Sequence, residues 1–179
     1  TINAATIVDT APAPFTASFS SRGPLRAGGG DLLKPDIIAP GQDILAAVSP
    51  AIGGKLFDLY SGTSMSSPHI AGIGALFKQA RPGWSPMAIK SALMTSAGDI
   101  LDGPNTNPLV IFRQGAGHVR PSNALDPGLV FDHSFNDWLA FLCGTTNGVN
   151  PATCTTLQGL GFSFDTSDLE GVATIAMIV

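Results

Sequence analysis

Eight consecutive residues, Gly62-Thr63-Ser64-Met65-Ser66-Ser67-Pro68-His69, hold the pattern in this 179-residue chain best suited to covalent chemistry. A serine hydroxyl acts as a nucleophile when it is presented at a bend, next to a base and to donors for the oxyanion. The run Lys55-Leu56-Phe57-Asp58-Leu59-Tyr60 reads as a strand feeding into Ser61-Gly62. Gly62 is expected to let the backbone turn tightly there, with no Cβ in the way. A small-residue apolar helix follows, which puts Ser64 in its first turn. At that place unpaired backbone N–H groups and the helix dipole favour the negative charge of a tetrahedral acyl-transfer intermediate. Pro68 is expected to be tolerated because it too falls in the first turn or so, before its missing N–H breaks a ladder bond.

These residues resemble the nucleophile motif of the subtilisin-like serine proteases (subtilases, peptidase S8), G-T-S-M-[AS]-x-P-H. The likeness extends upstream to Phe19-Ser20-Ser21-Arg22-Gly23-Pro24 and Lys34-Pro35-Asp36-Ile37-Ile38-Ala39-Pro40-Gly41. Downstream it takes in Gly115-Ala116-Gly117-His118-Val119 and Ala124-Leu125-Asp126-Pro127-Gly128-Leu129-Val130-Phe131-Asp132. That pairing is similar to the plant-type branch and its bacterial relatives, and covers most of residues 5–144. The resemblance implies a secreted serine endopeptidase, a hydrolase that acts on polypeptide substrates through an acyl-enzyme. Ser64 would be its catalytic nucleophile and the Ser64 N–H an oxyanion donor. It implies an α/β fold with a mostly parallel sheet and a buried central helix. Residues 1–144 would be the C-terminal part of the catalytic domain. Residues 145–179 would be a linker and the first strand of a fibronectin type III-like β-sandwich.

Family order places the triad Asp, the His and the oxyanion Asn before the Ser. The histidines here are His69, His118 and His133, and none precedes Ser64. Asp9-Thr10 is followed by Ala11 where the family's aspartate motif has glycine, and no His-Gly segment intervenes before Ser64. Asp9 therefore reads as a strand-end or turn residue. His69 lies five residues past Ser64, so on one helix it projects to a different side and reads as a packing residue. His118 reads as a structural donor or acceptor in a glycine-rich turn, and His133 as a surface or capping residue. The chain is expected to require the upstream part of the catalytic domain for its base. The alternative is a non-catalytic binding or structural piece that retains the scaffold.

The elements that must position Ser64 follow from periodicity and punctuation. Asp36–Ala39 and Ile44–Val48 are short apolar runs that suit buried strands of a doubly covered sheet. A helix from Ser64 to about Gln79 carries Ile70, Ile73, Leu76, Phe77 and Ala80 at helical spacing, with Gly72 and Gly74 inside it. Each of those glycines costs roughly 1 kcal/mol against alanine, which predicts close neighbours and a central, buried position. Ser85 reads as the N-cap of a second helix with Pro86 at its first position, and Trp84 as an apolar staple. A third helix is predicted from Ser134 to Gly144, with Asp137 in a capping box and Trp138, Leu139 and Leu142 inward. Val172–Val179 reads as a strand, an edge and an aggregation risk if exposed.

Composition bounds the rest. Charged residues make only 12% and hydrophobic ones 44%, so much surface is expected to be covered by further sequence. The net charge of −4 is mild and spread out, with no basic stripe, which argues against nucleic-acid binding. No apolar run reaches the roughly 18 residues that span a bilayer, so no membrane partner is expected. Gly28-Gly29-Gly30 lacks the Lys-Ser/Thr and helix of a phosphate cradle and reads as a surface loop. Cys143 and Cys154 are the only cysteines. In a chain resembling secreted proteases they suggest one disulfide; two free thiols are the alternative, and zinc lacks ligands. No cofactor is expected. Calcium sites occur in some relatives, but Asp36 or Asp43 alone falls short of the six or more oxygens such a site needs.

Overall fold

The computed structural model describes residues 12–26, 32–103, 107–145 and 148–164. Within them the chain forms a hairpin of β1 (Ile44–Ala47) and β2 (Phe57–Tyr60) followed by six helices. These are α1 (Thr63–Ala80), α2 (Pro86–Thr95), α3 (Pro108–Gln114), α4 (Pro121–Ala124), α5 (Phe135–Thr145) and α6 (Pro151–Gly159). Helices with a small sheet fit the α/β class. Asp9-Thr10, Gly28-Gly29-Gly30 and Val172–Val179 lie outside the described residues.

The sheet differs from the expected one. β1 and β2 pair antiparallel, Ile44 with Tyr60 and Leu45 with Leu59, and most of their residues are exposed. The run Asp36–Ala39 forms no strand. Its one ladder contact is a parallel bridge between Ile38 and His118, while Ile37 and Ala39 pack on the core. Leu45 and Leu59 stand opposite each other on a face where each keeps more than half its surface in solvent. A continuous apolar run thus marks side chains that need cover; it does not say which chain segment supplies it.

The core gathers where α1, α2, α4 and the segment after α3 meet. Phe77, Ile89, Leu93, Val119 and Ala124 form it, with Ile70, Ile73 and Trp84 packed on its edge. α2 starts cleanly, with the Ser85 hydroxyl accepting the Ala88 N–H at 3.0 Å. Pro86 sits at the first helical position, where no N–H is needed. Trp84 reaches Ile89's cluster as a staple and tilts against Phe77, ring centroids 6.5 Å apart.

α1 is not the buried central helix that its glycines predict. Phe77 is its one fully buried residue, Leu76 is 64% exposed, and a Cβ added at Gly72 or Gly74 meets nothing within 4 Å. Among the described residues no neighbour approaches that face. α3, α4 and α6 were not legible from periodicity. Asn107 and Asn150 nonetheless cap α3 and α6 by accepting the Leu109 and Ala152 N–H groups, each at 2.9 Å, with proline next in line.

α5 begins one residue after its Ser134 cap, whose N–H and hydroxyl both donate to Asp137 Oδ2 at 2.7 Å. Leu142, predicted to point inward, is 38% exposed; Ala140 takes the buried place. A disulfide joins Cys143 on α5 to Cys154 on α6, and Pro151–Gly159, within the stretch read as a linker, is helical.

Candidate active site

Ser64 is the second residue of α1 and is exposed to solvent. By position, its N–H has no intrahelical acceptor. Gly62 precedes the helix with φ 161° and ψ 161°, an extended conformation that any residue adopts. A Cβ there would meet nothing closer than 3.7 Å. The bend therefore does not demand glycine at 62 for the reason first given. Pro68 also sits deeper than expected, as the sixth helical residue. Its missing N–H is the one that would bond the carbonyl four residues back, so the Ser64 carbonyl has no ladder donor.

Three sets of contacts hold this turn. Asp43 N–H donates to Ser61 Oγ at 2.8 Å, and the Ser61 hydroxyl donates to Asp43 Oδ1 at 3.1 Å. The pair closes the base of the hairpin just ahead of Gly62. Asp43 adopts φ 53°, a left-handed conformation that a short polar side chain tolerates. Gly62 N–H donates to the Gly41 carbonyl at 2.8 Å, and the Ser66 hydroxyl donates to the Ala39 carbonyl at 3.0 Å.

The segment 36–41 is anchored in turn from behind. Ile38 N–H donates to Gly117 O and Val119 N–H to Ile38 O, both at 2.9 Å, while Ala116 N–H donates to Asp36 O at 3.0 Å. Gly115 makes this approach possible. It adopts φ 59°, and a Cβ there would collide with the Pro35 carbonyl. The Asp36 carboxylate pairs with Lys34 and, at 2.9 Å, with Lys90 of α2. Burial alone would raise its pKa; bonds and charge from Lys34 and Lys90 outweigh that and hold it below the usual carboxylate value.

None of the histidines is hydrogen-bonded to Ser64. His69 Nδ1–H donates to the Met65 carbonyl at 2.7 Å, which ties its ring to the helix's own backbone. His118 acts through its main chain, bridging both Ile38 and Gly98. His133 is neither a surface nor a capping residue. It is half-buried, its Nε2 has no partner among the described residues, and the cap beside it is made by Ser134 and Asp137.

The subtilase family model matches residues 1–129, well over half the chain. The chain belongs to the subtilase family of serine proteases. It is 49% identical over 162 residues to subtilisin-like protease SBT2.5 of Arabidopsis thaliana, a match that takes in 77% of this chain and 20% of the relative. Subtilisin-like protease SBT3 of Solanum lycopersicum is 46% identical over 155 residues, again 77% of this chain and 20% of the relative. Among solved structures, the CspB protease of Clostridium perfringens overlaps 66% of this chain and 25% of its own, at 32% identity and a TM-score of 0.48. This subtilase chain thus spans about a fifth of the length of the curated relatives it matches.

Sequence reading of the subtilase missed Ser66 and Gly41, which touch across the turn, and the two lysines on Asp36. Ser66 gave a signal only as a motif position, because its partner lies 27 residues away. Among the described residues no three His, Cys, Asp or Glu side chains group to hold a metal ion. No helix among them is long and apolar enough to cross a membrane.

Proposed function

We propose that this chain is the nucleophile-bearing portion of a secreted serine endopeptidase, with Ser64 as the attacking residue. The single observation that carries the reading is Ser64 itself. It is exposed in the first turn of α1, within the family motif, where a backbone N–H has no intrahelical acceptor and can serve as an oxyanion donor. Ser64 Oγ adds to the scissile carbonyl as its proton passes to an imidazole, and collapse of the tetrahedral intermediate releases the amine and leaves an acyl-enzyme. Water then hydrolyses the ester. The orienting Asp, the His and the oxyanion Asn come from sequence outside this chain, and its substrates are polypeptides. The chemistry needs no cofactor. Asp36 is already paired with Lys34 and Lys90, and Asp43 with Ser61. A disulfide supports an extracellular setting, where such bonds persist.

A second reading, a non-catalytic piece on the same scaffold, is favoured by the lack of a histidine bonded to Ser64. Two measurements decide between them. In the full-length protein, Ser64→Ala is expected to lower kcat/KM by about 10⁴-fold or more while the protein stays folded. Fluorophosphonate is expected to label Ser64 in the full-length protein and to leave the isolated 179-residue chain unlabelled. Stoichiometric labelling of the isolated chain would show that no outside base is needed. Full activity of Ser64→Ala would remove Ser64 as the nucleophile.

A further inference from the structure

We propose that Ser66 is a positioning residue for Ser64, acting as one half of a two-point clamp on the nucleophile turn; the proposal rests on the reading of Ser64 as nucleophile. The two anchors flank Ser64 at equal distance along the chain. Two residues before it, Gly62 N–H donates to Gly41 O at 2.8 Å; two residues after it, the Ser66 hydroxyl donates to Ala39 O at 3.0 Å. Both acceptors lie in one stretch of three residues, and Ile38, the residue just before that stretch, is bridged to His118. Residues two apart on a helix point to nearly opposite sides. Seating the half-buried Ser66 inward on the 39–41 segment therefore sets Ser64 outward, where it stands exposed.

The clamp matters because the helix's own ladder is weak here. Pro68 withholds the N–H that would fix the Ser64 carbonyl, so the turn depends more on the tertiary bonds to either side of Ser64. Fit at the clamp is close. A Cβ at Gly41 would overlap Ser66 Oγ and lie 3.0 Å from the Gly62 carbonyl, so the glycine at 41 is matched to the serine at 66. Ser66 touches no reacting atom in this scheme. Its hydroxyl fixes the angle from which Ser64 attacks, and misplacement of a reacting group by about 1 Å costs rate by as much as 10²-fold.

The test uses the full-length enzyme at a temperature well below its Tm, with kcat and KM on a peptide substrate and the rate of fluorophosphonate labelling. Ser66→Ala is expected to lower kcat and labelling rate about tenfold with KM unchanged, since substrate contacts stay in place. Gly41→Ala is expected to lower both further. The double variant Gly41→Ala/Ser66→Ala is expected to recover part of that loss, because the overlapping oxygen is gone and the nearest Ser66 atom becomes Cβ at 3.4 Å. Wild-type kcat and labelling in Ser66→Ala overturns the proposal, as does a double variant whose loss equals the sum of the singles. Ser64→Ala runs alongside. Activity that survives it overturns the nucleophile assignment and the clamp together, whereas inactivity of Ser64→Ala with a fully active Ser66→Ala overturns the clamp alone.

Discussion

Asp36 keeps a carboxylate charged in a place where burial alone would protonate it more readily, and Lys34 and Lys90 decide the outcome. A carboxyl whose folded pKa lies below its unfolded value of about 3.9 stabilises the fold above that value. The contribution disappears as pH falls through the folded pKa. Asp36→Asn is expected to cost about 1–2 kcal/mol at neutral pH, because two ammonium groups lose their partner. The gap between wild type and variant should then narrow below about pH 4 as the wild-type carboxyl takes up its proton. Thermal unfolding of both proteins from pH 7 to pH 3 reads this directly, and parallel curves would falsify the assignment. At this scale the eight-residue motif around Ser64 was visible in the chain. The bonds that seat it were not, because Ser66 with Ala39 and Asp36 with Lys90 join residues far apart in sequence.

Among the elements, α2 is the best specified, and it shows why. Its cap, first-position proline and apolar spacing all speak for the same helix. The Ser85 hydroxyl does two things at once: it accepts from Ala88 N–H at 3.0 Å and donates to the carboxylate of Asp132, which fixes the chain leading into α5. Ser85→Ala is therefore expected to cost more than an ordinary cap, about 1–2 kcal/mol. Ser85→Asp, which keeps the cap but sets two carboxylates face to face, should not restore it. Chemical denaturation of the three proteins distinguishes these effects. α3 and α6 share an Asn-Pro start at 107–108 and 150–151 but are short and poorly periodic, and neither helix was predicted from the sequence. Gly72 and Gly74 mislead in the opposite way. Their presence implies close neighbours, and within the described residues that face of α1 has none.

At the level of the whole molecule, apolar surface is distributed unevenly. The core about Phe77, Leu93 and Ala124 is dry, whereas Leu45, Phe57, Leu59 and Leu76 are each more than half exposed along the hairpin and the open face of α1. The apolar run at 44–48 and the helical spacing of α1 marked Leu45 and Leu76 for burial, and both stand exposed. The α5–α6 hairpin is organised differently, with a disulfide closing a short loop. Such a closure contributes about 2–3 kcal/mol in the chain-entropy picture. Cys143→Ser/Cys154→Ser is expected to loosen this hairpin while leaving the segment around Ile38 and Val119 as protected as before. Amide hydrogen exchange resolves the two regions; uniform loss of protection across both would contradict separate stabilisation.

The brace behind Ser64 has a consequence for the order of events during synthesis. Gly41 and Ala39 leave the ribosome before the residues that they hold, but Gly117, His118 and Val119, which brace the adjacent Ile38, emerge long after Ser64. A nascent chain that already includes Ser64 thus still lacks the segment behind its turn. The turn that carries Ser64 gains its rear support only once the Gly115–Val119 stretch has been made.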